Sequence, residues 1–217
     1  FRTLICKERE GIPDMAVTIK ESEPLARHTV LRIGGPARFF VIAETRDDFI
    51  AALRGVRSAG LPWFILGSGS NILAADRGFD GAVIRPVGGA VEADGSRLRV
   101  DAALPMARVV AESLARGLRG FEWAIGVPGT IGGSVRGNAG CFGGEMKNVV
   151  RAVAVFNGAT GEVEEWSGDA AEFGEGIYTP EWHDRTYAAC RAEVEALLFK
   201  GGRVIIDASV RAAKRRR

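Results

Sequence analysis

Pro62-Trp-Phe-Ile-Leu-Gly-Ser-Gly-Ser-Asn-Ile-Leu73 sets a short apolar strand directly against a loop of small residues. Residues 62–66 read as the strand, and glycine and serine follow with no helix between them. A loop without bulky side chains lets backbone N–H groups approach an anion closely. Ser68, Ser70 and Asn71 add neutral hydrogen-bond donors. The loop lacks the Gly-Lys-Ser/Thr ending of a P-loop, so no lysine waits for a γ-phosphate. It also lacks the GxGxxG-then-helix order of a dinucleotide fold. A tight surface turn would use the same residues.

Outward from this loop, the flanking segments alternate between strand and helix. Arg38 to Glu44 reads as a mostly buried strand, and Asp47 as the N-cap of a helix. Phe49, Ile50, Leu53 and Val56 form the apolar stripe of that helix, and Gly60 ends it. Ala82 to Val87 is a further strand, closed by Gly88-Gly89. Residues 25–89 are therefore expected to form one α/β lobe. Residues 1–24, broken by Pro13 and Pro24, show no periodicity and are expected to be an N-terminal extension.

A second lobe is expected over residues 90–212. Arg97 to Ala102 alternates as a strand, and Pro105 suits the first turn of a helix. Met106, Val109, Val110 and Leu114 form the stripe of that helix, and Gly117 ends it. Val149 to Phe156 and Val163 to Trp166 flank Asn157-Gly-Ala-Thr-Gly161 as a β-hairpin. Asp184 to Phe199 reads as a helix, Arg203 to Arg211 as a strand, and 213–217 as a basic tail. The class is α+β, with two lobes meeting near residue 89.

Glycine is the compositional anomaly. The chain has 29 glycines in 217 residues, against a background of about 7%. Ten fall between Gly117 and Gly144. The densest run is Ile125-Gly-Val-Pro-Gly-Thr-Ile-Gly-Gly-Ser-Val-Arg-Gly-Asn-Ala-Gly140, in which Ile125, Val127, Ile131 and Val135 imply partial burial. Buried loop backbone needs partners for its polar groups. A pyrophosphate and a planar ring would supply them, and so would a crossover packed backbone to backbone. Two such loops, one per lobe, suit the two phosphates of a dinucleotide held between the lobes. With no dense Lys/Arg cluster in either loop, backbone and hydroxyl groups would hold the diphosphate.

The remaining composition narrows the function classes. Hydrophobic residues make up 47% and charged residues 26%, ordinary globular values. No apolar run approaches the ~18 residues of a membrane span. The formal net charge of +2 comes from the terminal run Lys214-Arg-Arg-Arg217, without which 25 basic residues face 27 acidic ones. No basic cluster is interleaved with aromatics, so neither a nucleic-acid nor a membrane partner is expected. Cys6, Cys141 and Cys190 form neither a disulfide framework nor a CxxC signature. A reducing, cytoplasmic compartment fits, and no metal site is expected. The sequence begins at Phe1, so a processed or partial product is expected.

Five motifs together carry a resemblance. They are His28-Thr-Val-Leu-Arg-Ile-Gly-Gly-Pro-Ala37, Leu66-Gly-Ser-Gly-Ser-Asn-Ile-Leu73, Gly120-Phe-Glu122, Gly126-Val-Pro-Gly-Thr-Ile-Gly-Gly-Ser134 and Gly137-Asn-Ala-Gly-Cys-Phe-Gly-Gly-Glu145. In this order they resemble the UDP-N-acetylenolpyruvoylglucosamine reductase family over residues 25–166, and more weakly to 210. The resemblance implies a two-lobed FAD-binding domain of the PCMH, vanillyl-alcohol-oxidase-like type. It implies FAD between the lobes and NADPH as reductant. The substrate implied is a UDP-sugar enolpyruvate, reduced to UDP-N-acetylmuramate for peptidoglycan. The implied cofactor-binding residues are Leu66, Gly67, Ser68, Gly69, Ser70, Asn71 and Ile72 in the first loop. In the second segment they are Pro128, Gly129, Thr130, Gly132, Gly133, Asn138 and Ala139. His28 is placed either near the cofactor or in a structural role, and Cys141 in packing.

The match is incomplete. The family's Phe-Gly-Tyr-Arg-x-Ser motif falls on Phe173-Gly-Glu-Gly176, which lacks the tyrosine and the arginine. Arg185 and Arg191 are poor substitutes. The sequence ends at Arg217, before the family's substrate domain with its serine and glutamate, so no catalytic residue is assigned. A fragment, a degenerate relative and an FAD-binding lobe completed by another chain all fit, as does a non-catalytic FAD-binding module.

Overall fold

The computed structural model describes residues 17–168. Four strands form the first sheet: β1 (Val17–Pro24), β2 (Pro36–Ala43), β3 (Trp63–Ile65) and β4 (Phe79–Pro86), in the order β1-β2-β4-β3. β2, β4 and β3 run parallel, and β1 adds antiparallel to the β2 edge. Residues 17–24 thus belong to the sheet and correct the expected extension over 1–24. The sequence hid this strand because Lys20, Glu21, Ser22 and Glu23 interrupt any apolar alternation, and β1 is an edge strand with one polar face.

Helix α1 (Arg46–Ser58) connects β2 to β3. Its N-cap is Thr45, not the expected Asp47. Asp48 N–H donates to Thr45 Oγ1 at 3.1 Å, and Thr45 N–H donates to Asp48 Oδ2 at 3.2 Å, closing a capping box. Gly60 at φ +61° ends the helix as expected. Alternation along β2 and β4 divides the core between the two sheet faces. Val41, Ala82 and Ile84 meet Ala52, Leu53 and Val56 of α1 on one face. Phe40 and Val83 meet Leu25, Ala37 and Leu66 on the other.

A second core lies under the glycine-rich segment. Helix α2 (Met106–Ala115) supplies Met106 and Val110. Leu114, expected in the same stripe, is 49% exposed. Val127, Ile131 and Val135 pack into this core with Ala124 and Met146, while Ile125 points outward. Short helix α3 (Ile131–Arg136) runs from Thr130, and hairpin β7 (Gly140–Cys141) and β8 (Gly144–Glu145) follows. Before α2, β5 (Val91–Asp94) and β6 (Arg97–Val100) pair as a hairpin; only β6 was read from the sequence.

The hairpin of β9 (Ala152–Phe156) and β10 (Val163–Ser167) forms as expected, and its turn lies on α1. Arg57 donates to the carbonyls of Gly158 and Ala159, and Arg54 to that of Gly161. Phe156 packs against the first core. All described residues belong to one compact unit. The helix over 184–199, the strand over 203–211, Arg185, Arg191 and the 173–176 motif lie outside the described residues.

Candidate functional site

In open sheets with parallel strands, ligands bind beyond the carboxyl ends of the strands. The loop 67–71 leaves that end of β3. Leu66 anchors it, with its side chain in the core and its N–H on the Ile84 carbonyl at 2.9 Å. Ile72 and Ala74 return to the same core. Between them Ser68 and Asn71 are exposed, while Gly69 is buried.

A second stretch of chain backs the loop. Val30 N–H donates to Gly69 O at 3.0 Å, and Gly35 N–H to Ala75 O at 2.9 Å. The approach at Gly69 is so close that a Cβ there would overlap the His28 carbonyl and lie 2.9 Å from Thr29 Cα. Gly69 also holds φ +68°, which a side chain disfavours. Its missing side chain serves this contact.

The two glycine segments meet. A Cβ on Gly67 would stand 2.6 Å from Thr130 Oγ1, and one on Gly129 would stand 3.2 Å from Ser70 Oγ. So Gly67 faces Thr130, and Ser70 faces Gly129. Thr130 is held by the Gly133 N–H, which donates to its Oγ1 at 3.3 Å. Met106 N–H fixes the Gly129 carbonyl at 2.9 Å. No packed side chain separates the loops at these points.

The backbone donors then divide. Among the described residues, the N–H groups of Gly67, Ser68, Gly69, Ser70, Gly129 and Thr130 have no internal acceptor. Those further along are committed within the fold. Gly132 N–H donates to Ala102 O at 2.8 Å, Asn138 N–H to Val135 O at 3.1 Å and Ala139 N–H to Ser134 O at 2.8 Å. The Asn138 side chain is engaged too, donating to Glu145 Oε2 at 2.8 Å and accepting from Lys147 N–H at 3.0 Å. Pro128 has no N–H to offer, and Asn71 is exposed at the loop tip.

N–H groups without internal acceptors along glycine-rich backbone are the kind of donors an anion can use. The fit to a diphosphate is good on that count. Lysine and arginine are absent from both loops, so the site offers dipoles and hydroxyls rather than full charges. Apolar side chains stand exposed beside it along the chain: Val30, Leu31 and Ile33 from the backing stretch, Leu73 after the first loop, and Ile125 before the second.

His28 stands behind the site. Its ring stacks on Phe40 at 4.1 Å between centroids. Arg85 donates to Nδ1 at 3.0 Å, so the ring proton is on Nε2, which donates to Glu23 Oε1 at 3.0 Å. This bond from His28 holds the Glu23 carboxyl below its usual range. Glu23 and Arg85 had no sequence signal, because they meet His28 only once β1 and β4 are in place. Cys141 is a free thiol in the β7–β8 hairpin.

A family model described as FAD binding domain matches residues 37–167. The chain belongs to this FAD binding domain family. The α+β class and the two-lobed FAD-binding fold of the PCMH type agree with it. The chain is 41% identical over 160 residues to UDP-N-acetylenolpyruvoylglucosamine reductase of Syntrophotalea carbinolica, covering 72% of this chain and 52% of that protein. It is 37% identical over 156 residues to the reductase of Heliobacterium modesticaldum, covering 70% and 49%. The chain thus spans about half the length of the curated relatives it matches.

The crystal structure of the same reductase from Thermus caldophilus superposes with a TM-score of 0.58 at 31% identity, covering 74% of this chain and 56% of that one. CrmK, a flavoenzyme, shares the fold at a TM-score of 0.53 and 15% identity, with 70% and 34% covered. Among the described residues, no helix is long and apolar enough to cross a membrane.

Proposed function

We propose that the loops 67–71 and 128–133 hold the diphosphate of FAD, and that the protein is an FAD-dependent, NADPH-using reductase. Its substrate would be UDP-N-acetylglucosamine enolpyruvate and its product UDP-N-acetylmuramate, a peptidoglycan precursor. The observation that carries this reading is the meeting of two glycine loops with six free N–H groups between them. The 37–41% identity to reductases of that name supports the substrate class. A cytoplasmic location follows from the chemistry of that substrate.

The residues have separable roles. Gly67, Ser68, Gly69 and Ser70 donate their N–H groups to one side of the diphosphate, and Gly129 and Thr130 donate theirs to the other. Ser68 and Ser70 hydroxyls add donors. Gly129 keeps the space beside Ser70 open. Gly132, Gly133, Asn138 and Ala139 shape the second loop, since their N–H groups are committed inside the fold. Neutral donors suit a resident nucleotide better than an exchanging triphosphate. Val30, Leu31, Ile33, Leu73 and Ile125 offer apolar surface to planar rings. Bound flavin supplies a hydride-accepting and hydride-donating centre.

The test is optical. The purified chain, mixed with FAD and desalted, should keep absorbance near ~450 nm. NADPH should bleach it, and the enolpyruvyl substrate should restore it. Retained colour without that cycle would favour a non-catalytic FAD-binding module or a lobe completed by another chain. The absence of tyrosine and arginine from Phe173-Gly-Glu-Gly176 favours this second reading. A chain that takes up no FAD would end both.

A further inference from the structure

The Glu23–His28–Arg85 group lies outside the proposed diphosphate donors, yet three segments of the sheet converge on it. Glu23 comes from β1, Arg85 from β4, and His28 follows the turn Leu25–Arg27, against Phe40 of β2. The side chains of His28 and Glu23 are each only 11% exposed. Both ring nitrogens are occupied, at 3.0 Å each. A ring so engaged has no free atom for a ligand or a covalent bond. Its backbone is another matter. The His28 carbonyl and Thr29 Cα abut Gly69, and Val30 N–H holds Gly69 O. The neighbouring Ser70 faces Gly129.

We infer that His28 is a positioning residue: clamped by Glu23 and Arg85, it fixes the backbone wall that sets the Gly67–Ser70 N–H groups for the diphosphate. This rests on the reading of those loops as the FAD site. The clamp is directional. Arg85 has only donors, so Nδ1 must accept and Nε2–H must donate. An acceptor of the same shape at position 23 therefore keeps the bond, a charged one holding it somewhat more firmly than a neutral one. Loss of the imidazole or of the Arg85 donor frees residues 28–30 from the sheet. The loop amides then lose their common orientation, and each contact to phosphate weakens.

Three variants of the full chain test this: His28→Ala, Arg85→Met and Glu23→Gln. Two quantities are read for each, the Kd for FAD by flavin fluorescence and hydrogen exchange at the Val30 amide without FAD. The first two variants should raise Kd about tenfold, the scale of one lost hydrogen bond to a charged group. Glu23→Gln should stay within about threefold of wild type, because the acceptor remains. Val30 exchange should quicken clearly in the first two and at most slightly in the third, where a neutral acceptor replaces a charged one. Imidazole added to His28→Ala should restore part of the FAD affinity. Wild-type affinity in His28→Ala, equal losses in all three variants, or an unchanged Val30 amide would each overturn the clamp. A wild-type chain that binds no FAD would remove the reading of the loops, while the Val30 measurement still decides the clamp.

Discussion

The first glycine loop, 67–70, and the later run, 132–139, look alike in sequence and do opposite things with their backbone. In the first, four successive N–H groups have no internal acceptor among the described residues. In the second, the N–H groups of Gly132, Gly133, Ser134, Gly137, Asn138 and Ala139 all find acceptors inside the fold. Glycine density therefore marks two different needs. One is backbone left open to a ligand; the other is backbone packed too tightly for a Cβ. Where the N–H groups go tells them apart.

The contrast is broken most severely at Gly69, which meets both needs at once. Its φ of +68° and its approach to the His28 carbonyl leave a methyl group nowhere to sit. Gly69→Ala should cost about 3 kcal/mol or more, combining left-handed strain with displaced backbone. Urea unfolding reads this directly. A stability within about 0.5 kcal/mol of wild type, the range of a surface change, would mean the wall of residues 28–30 yields freely. The clamp at His28 would then have little to hold.

Gly132→Ala should act on packing alone. Its Cβ would lie 2.9 Å from Ala102 Cβ and 3.1 Å from Ala102 O. The expected cost is about 1–3 kcal/mol of overpacking. The FAD affinity of the folded fraction should stay within about twofold, because the Gly132 N–H already serves Ala102 and not a phosphate. Gly129→Ala is the counterpart. It meets only the Ser70 hydroxyl but stands at φ +110°. It should lose about 1–2 kcal/mol of stability and a larger share of FAD binding. Gly132→Ala losing FAD more steeply than Gly129→Ala would reverse the assignment of the two segments.

Much of this was legible in the sequence, for identifiable reasons. β2, α1, β4, α2 and the β9–β10 hairpin follow from local period and from Gly60 and Gly117 as stops. The two loops stood out because small residues follow a strand or a helix without a linker. The division between open and committed N–H groups was not legible. The acceptor of Gly132 is Ala102, thirty residues earlier, and nothing in either segment announces the other. Likewise β1 carries Lys20, Glu21 and Glu23, so its strand character comes from pairing with β2 and not from its own pattern. The sequence puts the cap at Asp47; the Thr45–Asp48 reciprocity moves it to Thr45 once the helix is formed.

The smallest expected effect separates the two segments by pH. His28 holds the Glu23 carboxyl below its ordinary 4.5, with Lys20 and Arg27 acting in the same direction. A carboxyl depressed in the folded state favours folding above its unfolded value, and that contribution fades as the pH falls through the folded value. The backing of the first loop thus depends on a titrating group. The backbone bonds from Gly132 to Ala102 and from Ala139 to Ser134 contain none. Below pH 4.5, protection of the Val30 amide should decline before protection of the Ala139 amide, after correction for intrinsic exchange. Equal decline at both would mean that acid loosens the whole unit through other carboxylates, and that Glu23 has no selective hold on the first loop.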